Sequence, residues 1–102
     1  MSNQTLAVLL VFFNKPAERL YGLQIIDATG LKSGTVYPLL ARLAEADRGW
    51  LESELEDIDP VVVGRKARRF YRLTGAGVAA IKDELILRAN LQVGWVSVPH
   101  VA

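Results

Sequence analysis

Two neighbouring segments of opposite charge constrain the fold of this 102-residue chain more than any other feature. In residues 50–58, WLESELEDI, leucines alternate with glutamates, and this period of two is typical of a β-strand with one buried face. Residues 65–73, RKARRFYRL, form a second strand segment that is rich in basic and aromatic side chains. Asp59-Pro60 and Gly64 bracket a turn between the two segments. The pattern predicts a hairpin in which the acidic strand can pair with the basic strand.

Three helices are predicted before the hairpin. The first covers about residues 4–14, where apolar residues occur on every side. A helix that is apolar all round has to be buried, so part of this one is expected to face a second subunit. The second helix is predicted over residues 17–28 and ends at Gly30. The third begins within residues 32–35 and continues to about residue 46.

A fourth helix is predicted after the hairpin. Thr74 is its expected N-cap, and an apolar stripe at helical spacing continues it to about residue 92. The order α-α-α-β-β-α is that of a winged helix-turn-helix, a mainly α fold with a small β-hairpin. The expected division is a DNA-binding winged helix-turn-helix domain at 1–74, a dimerisation helix at 75–92 and an apolar tail at 93–102.

The distribution of charge is more informative than the net charge of +1. From residue 45 to residue 59 there are seven acidic residues and one basic residue, Arg48. From residue 65 to residue 72 there are five basic residues and no acidic one. Segregation of this kind can give a protein one face that binds anions. The same residues can also simply pair with each other across the hairpin.

The sequence offers little for catalysis, metal binding or membrane insertion. It has no cysteine and one histidine, His100, so it lacks a nucleophile–base pair and a metal-ligand set. The longest apolar run, residues 6–13, is too short to span a membrane, and it lacks the flanking residues of a secretion signal. We therefore expect no enzyme, no cofactor, no metal and no membrane association. The lack of cysteine favours a reducing, cytoplasmic setting.

The start of the third helix, GLKSGTVYPLLARL at residues 30–43, is crowded with polar side chains. These residues either cap the helix or contact a ligand, and such a helix can enter the major groove of DNA. If Ser33 is the cap, Pro38 lies in the second turn and removes a backbone hydrogen bond. If Thr35 is the cap, Pro38 lies in the first turn at little cost. The candidate DNA contacts from this helix are Lys32, Ser33, Gly34, Thr35, Tyr37 and Arg42.

Three segments together resemble the PadR family of winged-helix transcriptional regulators. They are LYGLQII at 20–26, GTVYPLLARL at 34–43 and GRKARRFYRLTGAG at 64–77, and the resemblance extends over about residues 6–86. It implies a homodimeric DNA-binding repressor of the compact type, with a single C-terminal helix and no large effector domain. It also implies that the wing lies on or near the minor groove or the DNA backbone through Gly64, Arg65, Lys66, Arg68 and Arg69.

The resemblance has two departures and two further implications. The helix after Thr74 is short, which places this chain with the compact members of the family. The family's usual Pro-Arg-Lys after the Gly-Arg of the wing is replaced by residues 66–69, KARR, which allows a different wing geometry. In some relatives, aromatic residues near the dimer interface stack on planar ligands, so Trp95 is a candidate for stacking on a small aromatic effector. The dimer interface is implied to combine the first and last helices, with the candidates Val8, Phe12, Leu85 and Leu91.

The preferred interpretation is a sequence-specific DNA-binding transcriptional regulator. We expect a repressor that acts as a homodimer on an inverted-repeat operator in double-stranded DNA. The alternative is a winged-helix protein-interaction module without specific DNA binding. The seven acidic residues beside the expected DNA surface are the best support for this alternative.

Overall fold

The computed structural model describes the backbone of residues 1–101 and the side chains of residues 1–91. The predicted winged helix-turn-helix is confirmed, with one additional strand and one additional helical turn. The elements are α1 (Asn3–Phe13), β1 (Leu20–Tyr21), α2 (Gly22–Thr29), α3 (Ser33–Leu43), β2 (Leu51–Leu55), α4 (Pro60–Val63), β3 (Arg69–Leu73) and α5 (Gly75–Val101).

The wing belongs to a three-stranded antiparallel sheet with the order β1-β3-β2. The sequence predicted a helix from residue 17, but Leu20 and Tyr21 pair instead with Tyr71 and Phe70 of β3. This pairing satisfies backbone groups on an edge of β3 that a two-stranded hairpin would leave open. It also buries Leu20, which is 3% exposed. The helix therefore begins only at Gly22.

The tip of the wing carries a single helical turn, α4, in the segment expected to be a loop. The carboxylate of Asp59 accepts a hydrogen bond of 3.0 Å from the backbone N–H of Val61 and so caps this turn. Pro60 occupies its first position, where its missing N–H costs nothing. Gly64 ends it with a φ of 82°, in the left-handed region that glycine tolerates. The side chains of α4 project into solvent rather than into the core.

The core surrounds α1. Val8, Leu9 and Phe12 of this helix are each 0% exposed and pack in one cluster with residues of α2, α3, α5 and the sheet. This corrects the expectation that Val8 and Phe12 lie at a dimer seam. Because the other elements of the same chain cover both side chains, neither has surface left for a partner.

The last helix, α5, is fixed at its start by Thr74, as predicted. The Thr74 hydroxyl lies 2.5 Å from the carbonyl oxygen of Gly49 and accepts a 3.0 Å hydrogen bond from the N–H of Gly77. Ile81 anchors the helix in the core, and most side chains of residues 82–91 are exposed. The helix continues past residue 92 to Val101. Among the described residues, none of the helices has the length and apolarity needed to cross a bilayer.

Candidate nucleic-acid interface

The third helix, α3, has one face in the core and one in solvent. Its buried residues are Val36, Leu39, Leu40 and Leu43, at the spacing of a single helical stripe. The remaining face is open over three turns. Its exposed residues are Ser33, Gly34, Tyr37, Pro38, Ala41 and Arg42.

The structure starts α3 one residue before the earlier of the two caps that the sequence predicted, Ser33 and Thr35. Lys32 is the N-cap, and Ser33 is the first helical residue. Pro38 therefore lies in the second turn, where it has no N–H to donate to the carbonyl of Gly34. The helix tolerates this loss because its apolar stripe anchors it in the core on both sides of Pro38.

The N-terminus of α3 has no side-chain cap, unlike the starts of α1, α4 and α5, which Ser2, Asp59 and Thr74 cap. Within the described part of the chain, the side chains of Lys32, Ser33 and Thr35 make no hydrogen bond. These polar side chains therefore do not cap α3. The N–H groups of Ser33 and Gly34 keep their hydrogen-bonding capacity and their partial positive charge, which suits an anion, whereas the N–H of Thr35 donates a 2.9 Å hydrogen bond to the carbonyl of Lys32.

Tyr37 projects from α3 beside the start of α2. Its ring lies over Gly22, and the side chain is 45% exposed. Gly22 is itself buried, so the backbone of α2 forms a floor under the ring. This contact holds the Tyr37 hydroxyl at the rim of the exposed face of α3.

Three arginines around the sheet are paired with the glutamates of the acidic strand segment. Arg65 donates two hydrogen bonds, of 2.6 and 3.1 Å, to the carboxylate of Glu56. Two more exposed pairs complete the set: Arg72 with Glu52 at 3.1 Å and Arg19 with Glu54 at 3.4 Å.

The Arg65–Glu56 pair is the most specific of these contacts. The hydrogen bond from Arg65 lowers the pKa of Glu56 to about 2 against the opposing effect of partial desolvation, and the backbone N–H of Arg68 adds to the lowering. The pair links the two sides of the wing near its tip, and it neutralises Arg65 as a contact for phosphate.

Three cations of the wing are left over: within the described residues, Lys66, Arg68 and Arg69 form no ion pair. The guanidinium of Arg68 stacks on the ring of Tyr21, 4.5 Å from its centroid. Arg69 donates only a 3.3 Å hydrogen bond to the hydroxyl of Ser53. All three cations line one cleft of about 410 Å³ with Tyr37 of α3.

Tyr37 lines the cleft of the free wing cations, and Ser33 precedes it by one helical turn on the same ridge of α3, so the α3 start and these cations border one surface. We call it the α3–wing surface and define it by Lys32, Ser33, Thr35, Tyr37, Lys66, Arg68 and Arg69. Its chemistry combines uncapped helix N–H groups, hydroxyls and unpaired cations, which together suit a polyanion.

Some predicted residues lie away from the α3–wing surface. Gly64 stands at the wing tip, and Arg65 is engaged by Glu56. Arg42 lies on the flank of α3 that faces Ser2 and Thr5, a flank that Thr35 and Pro38 also line. Leu85 and Leu91 are exposed on α5, and the side chain of Trp95 lies outside the described side chains.

Sequence reasoning missed Tyr21 as part of the site. Tyr21 supports Arg68 and meets Phe70 edge-on, with ring centroids 5.6 Å apart. The segment that contains it was expected to be helical, and no local signal marks a strand of two residues. Only its alternation with buried Leu20 gives a hint of a pleated segment.

A family model described as the transcriptional regulator PadR-like family matches residues 14–83. Among solved structures, the chain is similar to a PadR family transcriptional regulator from Eggerthella lenta DSM 2243, with a TM-score of 0.69 and 24% identity. The alignment covers 93% of this chain and 82% of that one. A PadR-like transcription factor from Bacteroides fragilis gives a TM-score of 0.67 and 26% identity over 96% and 88% of the two chains.

A third structure shares the fold at lower identity. Bordetella bronchiseptica BpsR, whose DNA binding is regulated by 6-hydroxynicotinic acid, gives a TM-score of 0.69 at 16% identity. That alignment covers 92% of this chain and 64% of BpsR. A comparison with curated proteins finds no match.

Proposed function

Since this chain belongs to the PadR-like family of transcriptional regulators, a family of regulators and not of enzymes, we propose that it is a sequence-specific repressor. It binds an inverted-repeat operator as a homodimer in the cytoplasm. In each subunit α3 enters a major groove, and the wing holds the flanking phosphate backbone.

The observation that carries this proposal is the composition of the α3–wing surface. Tyr37 of α3 lines one cleft with three unpaired cations of the wing, and the uncapped start of α3 lies one helical turn before Tyr37. Lys and Arg side chains bind phosphates by displacing condensed counterions, and helix N–H groups add directional contacts. The glutamates of the wing do not oppose phosphate binding, because Glu52, Glu54 and Glu56 each pair with an arginine.

The exposed apolar side chains of α5 support the homodimer. Leu85, Ile86, Leu87 and Leu91 are between 38% and 62% exposed on a helix whose start alone is anchored in the core. A second copy of α5 that covers them would remove this apolar surface from water. Two-fold symmetry then places the two α3 helices about one DNA turn apart, roughly 34–36 Å, on an inverted repeat.

An aromatic effector is part of the proposal. BpsR, a distant structural relative, has its DNA binding regulated by an aromatic acid. In this chain a cleft of about 650 Å³ between the N-terminus of α1 and the side of α5 is lined by Trp50. The guanidinium of Arg48 lies 5.1 Å from the Trp50 ring centroid, so this cleft offers an aromatic face and a cation. Trp95 stays a second candidate for stacking.

A second candidate function, a protein-interaction module, is favoured by the wing tip. Val61 and Val62 are 89% and 80% exposed there, beside the carboxylates of Asp57 and Asp59. An apolar turn next to acidic side chains suits a protein surface better than a phosphate backbone.

The experiment that separates the two functions is binding to the DNA upstream of the chain's own coding region. Affinity is measured against an unrelated fragment of equal length at several salt concentrations. The proposal requires tighter binding to the upstream fragment and a fall of log K with log salt of about 0.9 per phosphate contacted. Equal or absent binding at low salt supports the interaction module instead.

A further inference from the structure

We propose that α3 recognises thymine methyl groups through Pro38 and Ala41, so that each operator half-site carries thymine where these two residues approach the base edges. This inference rests on the proposed function and deepens it by naming what the helix reads. It assigns sequence discrimination to two side chains without any hydrogen-bonding atom.

The exposed face of α3 carries one ridge of small and apolar residues. Gly34, Pro38 and Ala41 follow one another at spacings of four and three residues, so they lie on one ridge of α3. All three are exposed, on the side opposite the buried stripe. Nothing in the chain lies within 4 Å of the position that a Cβ of Gly34 would take, so this ridge is open to a groove-sized partner.

The side chains of this ridge carry no hydrogen-bonding atom. Bases are discriminated by hydrogen bonds mainly from Arg, Lys, Asn and Gln. On α3 the only such side chains are at the two margins, Lys32 at the N-cap and Arg42 near the first helix. Between these margins the exposed face offers a proline ring and a methyl group, beside the ring and hydroxyl of Tyr37.

The apolar ridge matches an apolar feature of the major groove. The C5-methyl group of thymine is the apolar feature that base pairs present there, and alanine-sized contacts suit it. Against the other bases, Pro38 and Ala41 would displace water from polar edges without replacing the lost hydrogen bonds. The ridge therefore favours thymine by attraction and disfavours the alternatives by desolvation.

The ridge has no evident role in stability. The core contacts of α3 come from its buried residues, not from Pro38 or Ala41. Pro38 in fact removes a backbone hydrogen bond from the second turn. A rigid apolar ring at a solvent-exposed position that weakens the helix is explained by contact with a ligand.

The test uses an operator selected from random duplex DNA with the full chain. Each thymine of the half-site is replaced in turn by deoxyuridine, which removes only the methyl group, and affinity is measured by fluorescence anisotropy. At one or two positions per half-site we expect about fourfold weaker binding, the effect of one buried methyl-sized group. In Ala41→Gly, the affinities for thymine and for deoxyuridine should become nearly equal at the position that Ala41 contacts.

The matched control is Ala79→Gly. Ala79 is an exposed helical alanine of α5, so this variant carries the same helix penalty away from the ridge. Ala79→Gly should retain the fourfold difference in affinity between thymine and deoxyuridine. A methyl effect that persists unchanged in both Ala41→Gly and Pro38→Ala overturns the assignment to α3.

Failure of the inference is distinguishable from failure of the proposed function. If the chain prefers its operator to unrelated DNA but binds thymine and uracil equally at every position, the inference is overturned and the regulator remains. Selected half-sites that share no thymine overturn it in the same way. If no operator is selected at all, the proposed function fails and the inference fails with it.

Discussion

The ring of Tyr37 on α3 lies directly over Gly22, the first residue of α2. A Cβ atom at position 22 would be 2.7 Å from Cζ of Tyr37 and 2.9 Å from its hydroxyl oxygen, closer than such atoms approach in proteins. The two helices therefore meet at this point through a residue without a side chain. This contact determines where the Tyr37 hydroxyl stands on the α3–wing surface.

Replacing Gly22 by alanine should weaken operator binding more than it weakens the fold. Because the overlapping atoms belong to the far end of a half-exposed ring, Tyr37 can turn away from the new methyl group. We expect the free energy of unfolding to change by less than about 1 kcal/mol, while the displaced hydroxyl loses its DNA contact. Urea denaturation and fluorescence anisotropy measure the two effects separately.

The control for Gly22→Ala is Gly75→Ala, because a Cβ at position 75 meets nothing within 4 Å. Unchanged operator affinity in Gly22→Ala would show that the position of Tyr37 is irrelevant to binding.

Replacing Gly77 by alanine should instead destabilise the fold. A Cβ at this position would overlap the carbonyl oxygen of Trp50 and lie 2.7 Å from Cδ1 of Leu73. Backbone cannot move aside as a side-chain end does, so the start of α5 would shift away from β2. We expect a loss of about 1–3 kcal/mol in the free energy of unfolding, the usual cost of overpacking. Equal urea midpoints for Gly77→Ala and Gly75→Ala would contradict this packing.

Removing Lys66 should reduce the salt dependence of DNA binding. Lys66 is unpaired among the described residues and lies on the α3–wing surface, so Lys66→Ala should lower the slope of log K against log salt by about 0.9 per bound subunit, roughly 1.8 for the dimer, on any DNA. Arg72→Ala is the control, because Glu52 already pairs with Arg72 at 3.1 Å. The expectation fails if the two variants change the slope by the same amount.

The Arg65–Glu56 ion pair should persist at acidic pH, below the ordinary carboxylate pKa of 4.5. Arg65 lowers the pKa of Glu56 in the folded chain from the ordinary 4.5 to about 2. A lowered carboxylate pKa means that the stabilisation is fully present above pH 4.5 and is lost as the pH falls towards 2. Carboxylate ¹³C shifts measured by NMR should therefore give a midpoint for Glu56 far below 4.5.

Arg65→Gln is the control for this titration, since it removes the main cause of the lowering. In this variant the pKa of Glu56 should return towards 4.5. A wild-type midpoint near 4.5 would show that the pair does not form in solution.

Strong local periodicity made much of the fold predictable. The buried stripe of α3 and the alternation of β2 are visible in the sequence, and the Thr74 cap follows from its position before a helical pattern. β1 was not predictable, because two residues have no measurable period and their partner strand lies about fifty residues further along the chain. Periodicity likewise shows that α1 is apolar on all sides, but not that its own chain covers Val8 and Phe12.

The sequence predicts which residues make up the candidate site, but not which of its charged side chains remain unpaired. The sequence identifies the basic segment, yet which cations are neutralised depends on tertiary contacts. Arg19 reaches Glu54 across 35 positions of the chain, and Arg65 reaches Glu56 around the wing tip. Those pairs leave Lys66, Arg68 and Arg69 unpaired among the described residues.

The most direct test of the central claim compares Thr35→Ala and Arg69→Ala with the unmodified chain on the operator and on an unrelated fragment. If the α3–wing surface binds DNA, Arg69→Ala weakens both complexes by a similar factor, because phosphate contacts are independent of sequence. Thr35→Ala, by contrast, weakens the operator complex by roughly 1 kcal/mol or more and so reduces discrimination. Unchanged affinity of both variants for both DNA fragments would contradict the claim.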